Sequence, residues 1–193
     1  MPRLVGLQCP QCRKNVEGEN HSLVFFCRAC QLAFDVAEKI ARFPLHFVKP
    51  QIRRDGPRVY FPFWRIEAQY RILTGTPGST APVKNHFLIP AYFNKHVGTI
   101  TDIGTMYFQK RVTLRGDTNQ DWPIHPAIRP ARSAMNHPAL YLMKMESERT
   151  GGKKAEIEMG EQQLMMVLVP FFHTGGQYID SQGGIAFPQG ALL

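Results

Sequence analysis

Every cysteine of the chain lies in one of two pairs, Cys9-Pro10-Gln11-Cys12 and Cys27-Arg28-Ala29-Cys30, with fourteen residues between Cys12 and Cys27. A Cys-x-x-Cys segment makes a tight turn that aims two sulfurs at one point, and two such turns supply four thiolates to a tetrahedral Zn²⁺. The spacing predicts one structural Zn²⁺ held by Cys9, Cys12, Cys27 and Cys30. Four sulfurs leave the ion no open position, so it would order the chain rather than act as a Lewis acid. Two disulfides, or four unrelated core cysteines, are the competing readings and explain the paired spacing poorly.

Bringing the pairs together requires a hairpin. Lys14–Val16 and Ser22–Phe26 read as its strands, turned at Glu17-Gly18-Glu19-Asn20, with Leu32–Val36 as a third strand. Arg13 and Gln31 each follow the second cysteine of a pair, where a left-handed backbone favours glycine. Arg13, Lys14 and Arg28 flank the turns; they either contact phosphate or, the preferred reading, offset the net −2 of four thiolates and one Zn²⁺.

At 193 residues, with 44% apolar and 20% charged side chains, the chain suits one small module and one ordinary folded domain. Thirteen Phe, fifteen Pro and sixteen Gly favour short strands and turns, and the fold class expected is mainly β (α+β). Residues 1–50 are assigned to a zinc ribbon and linker, and 59–193 to an antiparallel β-rich domain with one helix near 138–149. The net charge of +8 is concentrated in residues 51–115, which carry ten Lys/Arg against three Asp/Glu. The N-terminus has no apolar run suited to a signal peptide. The longest apolar run, Leu164–Phe172, has nine residues, about half of what a membrane helix needs. Thiolates in a metal pattern then point to the cytoplasm.

Along the chain, Ala37–Arg42 reads as one helical turn before Pro44. From Phe63 to Ile72, Trp64, Ile66, Ala68, Tyr70 and Ile72 alternate with mostly polar partners, a half-buried strand. Pro62 belongs at its start, a bulge or an edge. A weak internal repeat links 86–112 with 163–188: Phe87–Phe93 echoes Val167–His173, both echo Tyr60–Trp64, and Met106–Phe108 would match Ile185–Phe187 as a closing strand. Thr118–Ala131 is a proline-rich loop pinned by Trp122. Pro138–Arg149 is the best helix, with Ala139, Leu142, Met143 and Glu146 on one stripe.

Chemistry outside the cysteines is sparse. The seven histidines show no HxH or HExxH spacing, and Asp102 and Asp180 read as turn residues before glycines. Gly75–Thr80 lacks the Gly-Lys-Ser/Thr ending of a nucleotide-binding loop, which removes the basis for an ATPase motor. Tyr60, Phe61, Phe63 and Trp64 lie beside Arg53, Arg54, Arg58 and Arg65, a mix that could stack bases and hold phosphates. Strand alternation puts at most half of those rings on one face, so core packing is the preferred use.

The two cysteine pairs together with Phe61-Pro62-Phe63-Trp64-Arg65 resemble bacterial and archaeal proteins that carry a transcription-factor-IIB-type zinc ribbon before a β-rich region with a Pro-aromatic-Trp strand. Helicase names attached to such proteins would come from the ribbon. The occurrence of some relatives beside membrane-stress scaffold genes implies an adaptor role. The leading expectation is a non-enzymatic adaptor that docks onto a protein partner or a larger complex, including a membrane complex met peripherally. The alternative is a nucleic-acid-binding protein using the ribbon and segment 51–115, with Arg53, Arg54, Arg58 and Arg65 as contacts. An enzyme with a site of scattered residues is the third and weakest reading.

Overall fold

The computed structural model describes residues 7–37, 39–52, 54–73, 81–92, 97–110, 113–117, 121–182 and 184–192. Arg53, Gly75–Thr80 and His96 lie outside the described residues, as does the side chain of Asp102. The fold is mainly β with helices. Strands β1 (Val24–Cys27), β2 (Leu32–Asp35), β3 (Ala41–Phe47), β4 (Arg58–Leu73) and β5 (Val83–Pro90) precede helices α1 (Val97–Lys110), α2 (Ala131–Met135) and α3 (His137–Arg149). Strands β6 (Glu156–Thr174), β7 (Gln177–Asp180) and β8 (Ala186–Pro188) follow. The sheet runs β1-β2-β3-β6-β4-β5, with β7 and β8 continuing from the far end of β6. It is mixed rather than purely antiparallel, because β3 lies parallel to β6 with Leu45, His46 and Phe47 opposite Met166, Val167 and Leu168. No helix among the described residues is long and apolar enough to cross a membrane.

The long β4–β6 pair is the spine, and its two faces carry two hydrophobic layers. On one face Tyr60, Trp64, Ile66, Phe87, Met166 and Leu168 meet Tyr141 and Leu142 of α3. On the other, Phe61, Phe63, Val167, Val169 and Phe171 meet Ile103 and Tyr107 of α1 and Ile185 and Phe187. Residues buried on both faces cannot alternate, which is why Leu164–Phe172 reads as one apolar run. The alternation read from Phe63 holds beyond Trp64, but Tyr60–Trp64 is buried on both sides.

Three expectations are corrected. The helical turn read over Ala37–Arg42 does not reach Ala41 and Arg42, which begin β3 (Ala41–Phe47), and Pro44 is accommodated in that strand opposite Leu32. The 163–188 copy of the repeat is a meander, whereas in 86–112 the segment containing Met106–Phe108 is helix α1. The reason is a 3.6-residue pattern: Ile103, Tyr107 and Phe108 pack from α1 along β5, and Gly104 lets the Tyr141 ring approach so closely that a Cβ there would lie 2.4 Å from its hydroxyl. α3 forms where expected, after Asn136 with Pro138 in its first turn, but α1 and α2 make it one of three α-helices among the described residues rather than one. Its packed face is Pro138, Tyr141, Leu142 and Glu146, while Met143 is exposed.

Pro62 and Pro170 sit inside the spine, opposite Leu168 and Tyr60. Each carbonyl accepts one backbone N–H, from Ala91 and Ser181 respectively, and neither ring can return one. The carbonyls left over are taken by incoming loops. Ala91 O accepts Ile128 and Arg129 N–H, and Ser181 O accepts Gln51 and Ile52 N–H.

The division assigned at 51–58 does not coincide with a break in packing. β3 joins β1 and β2 to β6, and Val24, Phe26 and Ala33 of those two strands lie in the same layer as Leu45, Tyr60 and Trp64.

Candidate metal centre

The first turn is closed by Cys9 N–H to Lys14 O (2.8 Å) and Arg13 N–H to Cys9 O (2.8 Å), with Gln11 N–H directed at Cys9 Sγ (3.4 Å). The second leaves β1 at Cys27 and re-enters β2 at Leu32, its register partner. Gln31 O accepts Leu45 N–H at 2.9 Å, which ties this turn to β3. Arg13 and Gln31 have φ of 61° and 52°, the only non-glycine residues at positive φ among those described. The left-handed geometry read from their place after each pair is therefore present. The expected hairpin is only partly formed: residues 14–17 make isolated bridges, Gln8 to Asn15 and Glu17 to Phe26, instead of a strand. Phe25 lies over Gly18, where a Cβ would be 2.4 Å from its ring.

All four Sγ atoms lie within 4.8 Å of one another, Cys9 to Cys30 at 3.8 Å and Cys12 to Cys27 at 3.6 Å. A tetrahedron with metal–sulfur bonds of about 2.3 Å has edges of about 3.8 Å, whereas a disulfide needs about 2.05 Å. The cluster fits a metal ion at its centre, and all four cysteines are free. Among the described residues it is the one group of ligating side chains that could hold an ion. Cys9 and Cys27 are buried against Phe34; Cys12 and Cys30 are half-buried.

Proton affinities diverge across the cluster. Burial pushes the Cys9 thiol up, but backbone N–H groups of Cys12 and Gln11 and the neighbouring sulfurs outweigh it, leaving it at about 7. Burial pushes Cys27 up, and hydrogen bonding to Cys12, then burial, pushes Cys30 up to about 12. The first thiolate forms easily and later ones repel it; a bound dication removes that penalty.

Arg28 is not a free basic tip. It makes a two-pronged ion pair with Glu17, donates to Trp122 O at 2.6 Å, and lies over the Phe47 ring. Trp122 stacks on Tyr60 at 5.1 Å, so the loop it pins is clamped between Arg28 and the spine. Arg13 and Lys14 remain exposed beside the first turn.

Of the proposed contacts, the described residues Arg58 and Arg65 do not come together. Arg54 and Arg58 are exposed, and the Arg58 guanidinium covers Trp122 and Phe172. Arg65 is half-buried seven residues further along β4, about 23 Å away at strand rise and on the other face. Tyr60, Phe61, Phe63 and Trp64 are fully buried, with Trp64 Nε1–H bonded to Arg129 O at 2.8 Å. These rings are core, as preferred, and no base can stack on them.

Several polar residues that organise the fold gave no sequence signal beyond an acid or base within an apolar run. Asp35 accepts Ala131 N–H at 2.6 Å and Ala37 N–H at 3.0 Å, joining β2 to α2. His137 Nδ1–H donates to Ser133 O at 2.9 Å, which leaves Nε2 to accept from Arg129. Asp180, read as a turn residue, is instead the last residue of β7; it is buried and accepts Ile185 N–H at 2.9 Å and Tyr107 O–H at 2.5 Å. Comparison of the chain with family models, with curated proteins and with solved structures gives no match.

Proposed function

We propose that this chain is a non-enzymatic adaptor in which a structural Zn²⁺ on Cys9, Cys12, Cys27 and Cys30 fastens the N-terminal turns to a β-rich body that docks onto a protein partner. The observation that carries the reading is the closed, half-sunken four-sulfur cluster: its ligand set is complete, and its second turn is bonded to β3 of the main sheet. Such an ion serves rigidity, and a rigid body with a fixed surface suits recognition. Nucleic-acid binding is the second reading. It is less well supported because the rings beside the arginines are interior and Arg58 and Arg65 are far apart. A reducing compartment, the cytoplasm, suits the unpaired thiols.

The test is quantitative capture from the native cell with nuclease treatment, alongside metal analysis and salt titration on random DNA and RNA. One zinc per chain, a nuclease-resistant partner and only micromolar or weaker nucleic-acid binding at physiological salt are expected. Nanomolar binding to a nucleic acid at that salt, or capture abolished by nuclease, overturns the adaptor reading.

A further inference from the structure

The four sulfurs differ in how they meet solvent. Cys9 and Cys27 are each 1% exposed, whereas Cys12 and Cys30, one from each turn, are half-buried. Each half-buried sulfur touches a buried sulfur of the opposite turn, Cys12 with Cys27 at 3.6 Å and Cys30 with Cys9 at 3.8 Å. A disulfide needs about 2.05 Å, so each of these pairs closes with a shift of about 1.5–1.8 Å shared between two side chains. The backbone of each turn has its own hydrogen bonds, Cys9 N–H to Lys14 O and Arg13 N–H to Cys9 O in the first, and Leu45 N–H to Gln31 O in the second. Neither turn must be rebuilt for its sulfurs to move.

Metal-held sulfurs are thiolates, the form that attacks an oxidant, and the two half-buried ones are where an oxidant arrives first. Pairing inside each Cys-x-x-Cys would leave the two turns with no link once the ion has gone. Pairing between the turns puts two covalent links where the ion had been.

We propose that the centre is a reversible redox switch, in which hydrogen peroxide converts it to the disulfides Cys12–Cys27 and Cys9–Cys30 and frees the Zn²⁺ while the turns stay joined. The inference rests on the structural-zinc reading and adds the chemistry by which the ion leaves. The Cys12 thiolate gives an electron pair to one peroxide oxygen, the O–O bond breaks, and the other oxygen departs as water after taking up a proton. The Cys27 thiolate then attacks the Cys12 sulfur, and the hydroxyl carried there leaves with a second proton as a second water. Cys30 and Cys9 repeat the sequence. In all, four thiolates, two peroxides and four protons give two disulfides and four waters, with four electrons passing from sulfur to oxygen. The ion is then without a thiolate ligand, and a dithiol reductant returns the electrons and restores the set.

The test treats the zinc-loaded, ¹⁵N-labelled full chain with hydrogen peroxide, against an untreated sample. Zinc is followed with a chromogenic chelator, free thiols are counted, and the signal of the Trp64 indole N–H that donates to Arg129 O is monitored. One zinc is expected to appear as four thiols disappear, with the Trp64 signal in place, and dithiothreitol with added zinc should reverse both. The disulfides are mapped after trypsin, which cuts at Arg13, Lys14 and Arg28, so that Cys9 and Cys12 share one peptide while Cys27 and Cys30 separate. Pairing between the turns joins all three peptides, and fragmentation between Gln11 and Cys12 assigns each partner. Disulfides inside the Cys-x-x-Cys pairs, any other cross pairing, or loss of the Trp64 signal on oxidation overturns the proposal. Zinc absent from the untreated chain overturns the metal reading as well, whereas zinc present but unmoved by peroxide removes only the switch.

Discussion

Cys27→Ser is expected to undo far more than two metal-binding turns. In small four-ligand zinc domains the metal contributes about 10–16 kcal/mol at neutral pH, and that energy is folding energy. Without it, the turns have little to hold them, because their own cluster offers only Phe34 with partly buried Val16 and Leu32. Yet Cys27 ends β1, whose Val24 and Phe26 are fully buried in the layer that also holds Leu45, Tyr60, Trp64 and Leu168. Exposing Val24 and Phe26 costs roughly 1.5–3 kcal/mol each, and Arg28 would lose its bonds to Glu17 and Trp122 O as well. That is comparable with the whole stability of an ordinary domain, about 5–15 kcal/mol. The assay is near-ultraviolet dichroism and tryptophan fluorescence in a Trp122→Phe background, where Trp64 is the reporter, followed during chelation and heating. One transition is expected, with zinc release and Trp64 exposure coinciding, and Cys27→Ser should show Trp64 exposed from the outset. A metal-free chain that keeps Trp64 buried and melts the spine separately would refute the reasoning. For the same reason a fragment beginning at Gly56, which lacks β1 to β3, should be insoluble or melt without cooperativity.

Three further outcomes can be measured by melting of the zinc-loaded protein. Arg13→Gly or Gln31→Gly should be neutral or slightly stabilising, because the relief of a left-handed backbone offsets the entropy of glycine, whereas Arg13→Val should cost about 1–2 kcal/mol. Gly104→Ala, which in most helices gains about 1 kcal/mol, should instead lose about 1–3 kcal/mol through collision with Tyr141, and Tyr141→Ala should remove that loss. His125 and His137 both have pKa values held below the usual 6.5, by burial and, for His137, by Arg129 beside it. The unfolded chain therefore takes up protons first: their contribution is full above about pH 6.5 and is lost as pH falls below it. The melting temperature should drop on acidification, and His125→Phe, which keeps a ring stacked on Phe61, should flatten part of that drop.

The cysteine cluster was legible because metal geometry constrains sequence locally: two short spacings and the left-handed positions after them are enough. Pro138 after Asn136 announced α3 in the same local way. What could not be read depends on partners distant in sequence. Residues 41–47 form a strand despite Pro44 because β6 and β2 offer paired edges on either side, a fact no window around Pro44 contains. Met106–Phe108 looks like a strand in composition, but Tyr141, far along the chain, sits against Gly104 and favours the helix. Arg58 and Arg65 belong to one cationic group only on paper, since strand rise and alternation separate them in space. Asp35 and Arg129 carried no signal because their value lies in backbone groups that approach from elsewhere.

The prolines of the spine decide which groups the loops can join. A ladder residue with an N–H at position 62 or 170 would compete for the carbonyl of Ala91 or Ser181, and the loops at 121–131 and 49–52 would meet acceptors already engaged. By lacking that hydrogen, each proline leaves the acceptor to the loop. The segment from Trp122 to Ala131 lies across Tyr60 and carries the Arg28 contact and the Asp35 contact with it. Replacing Pro62 with alanine would leave most core side chains in place and still add a competing donor at Ala91 O, weakening the hold on the loop that carries Ile128 and Arg129.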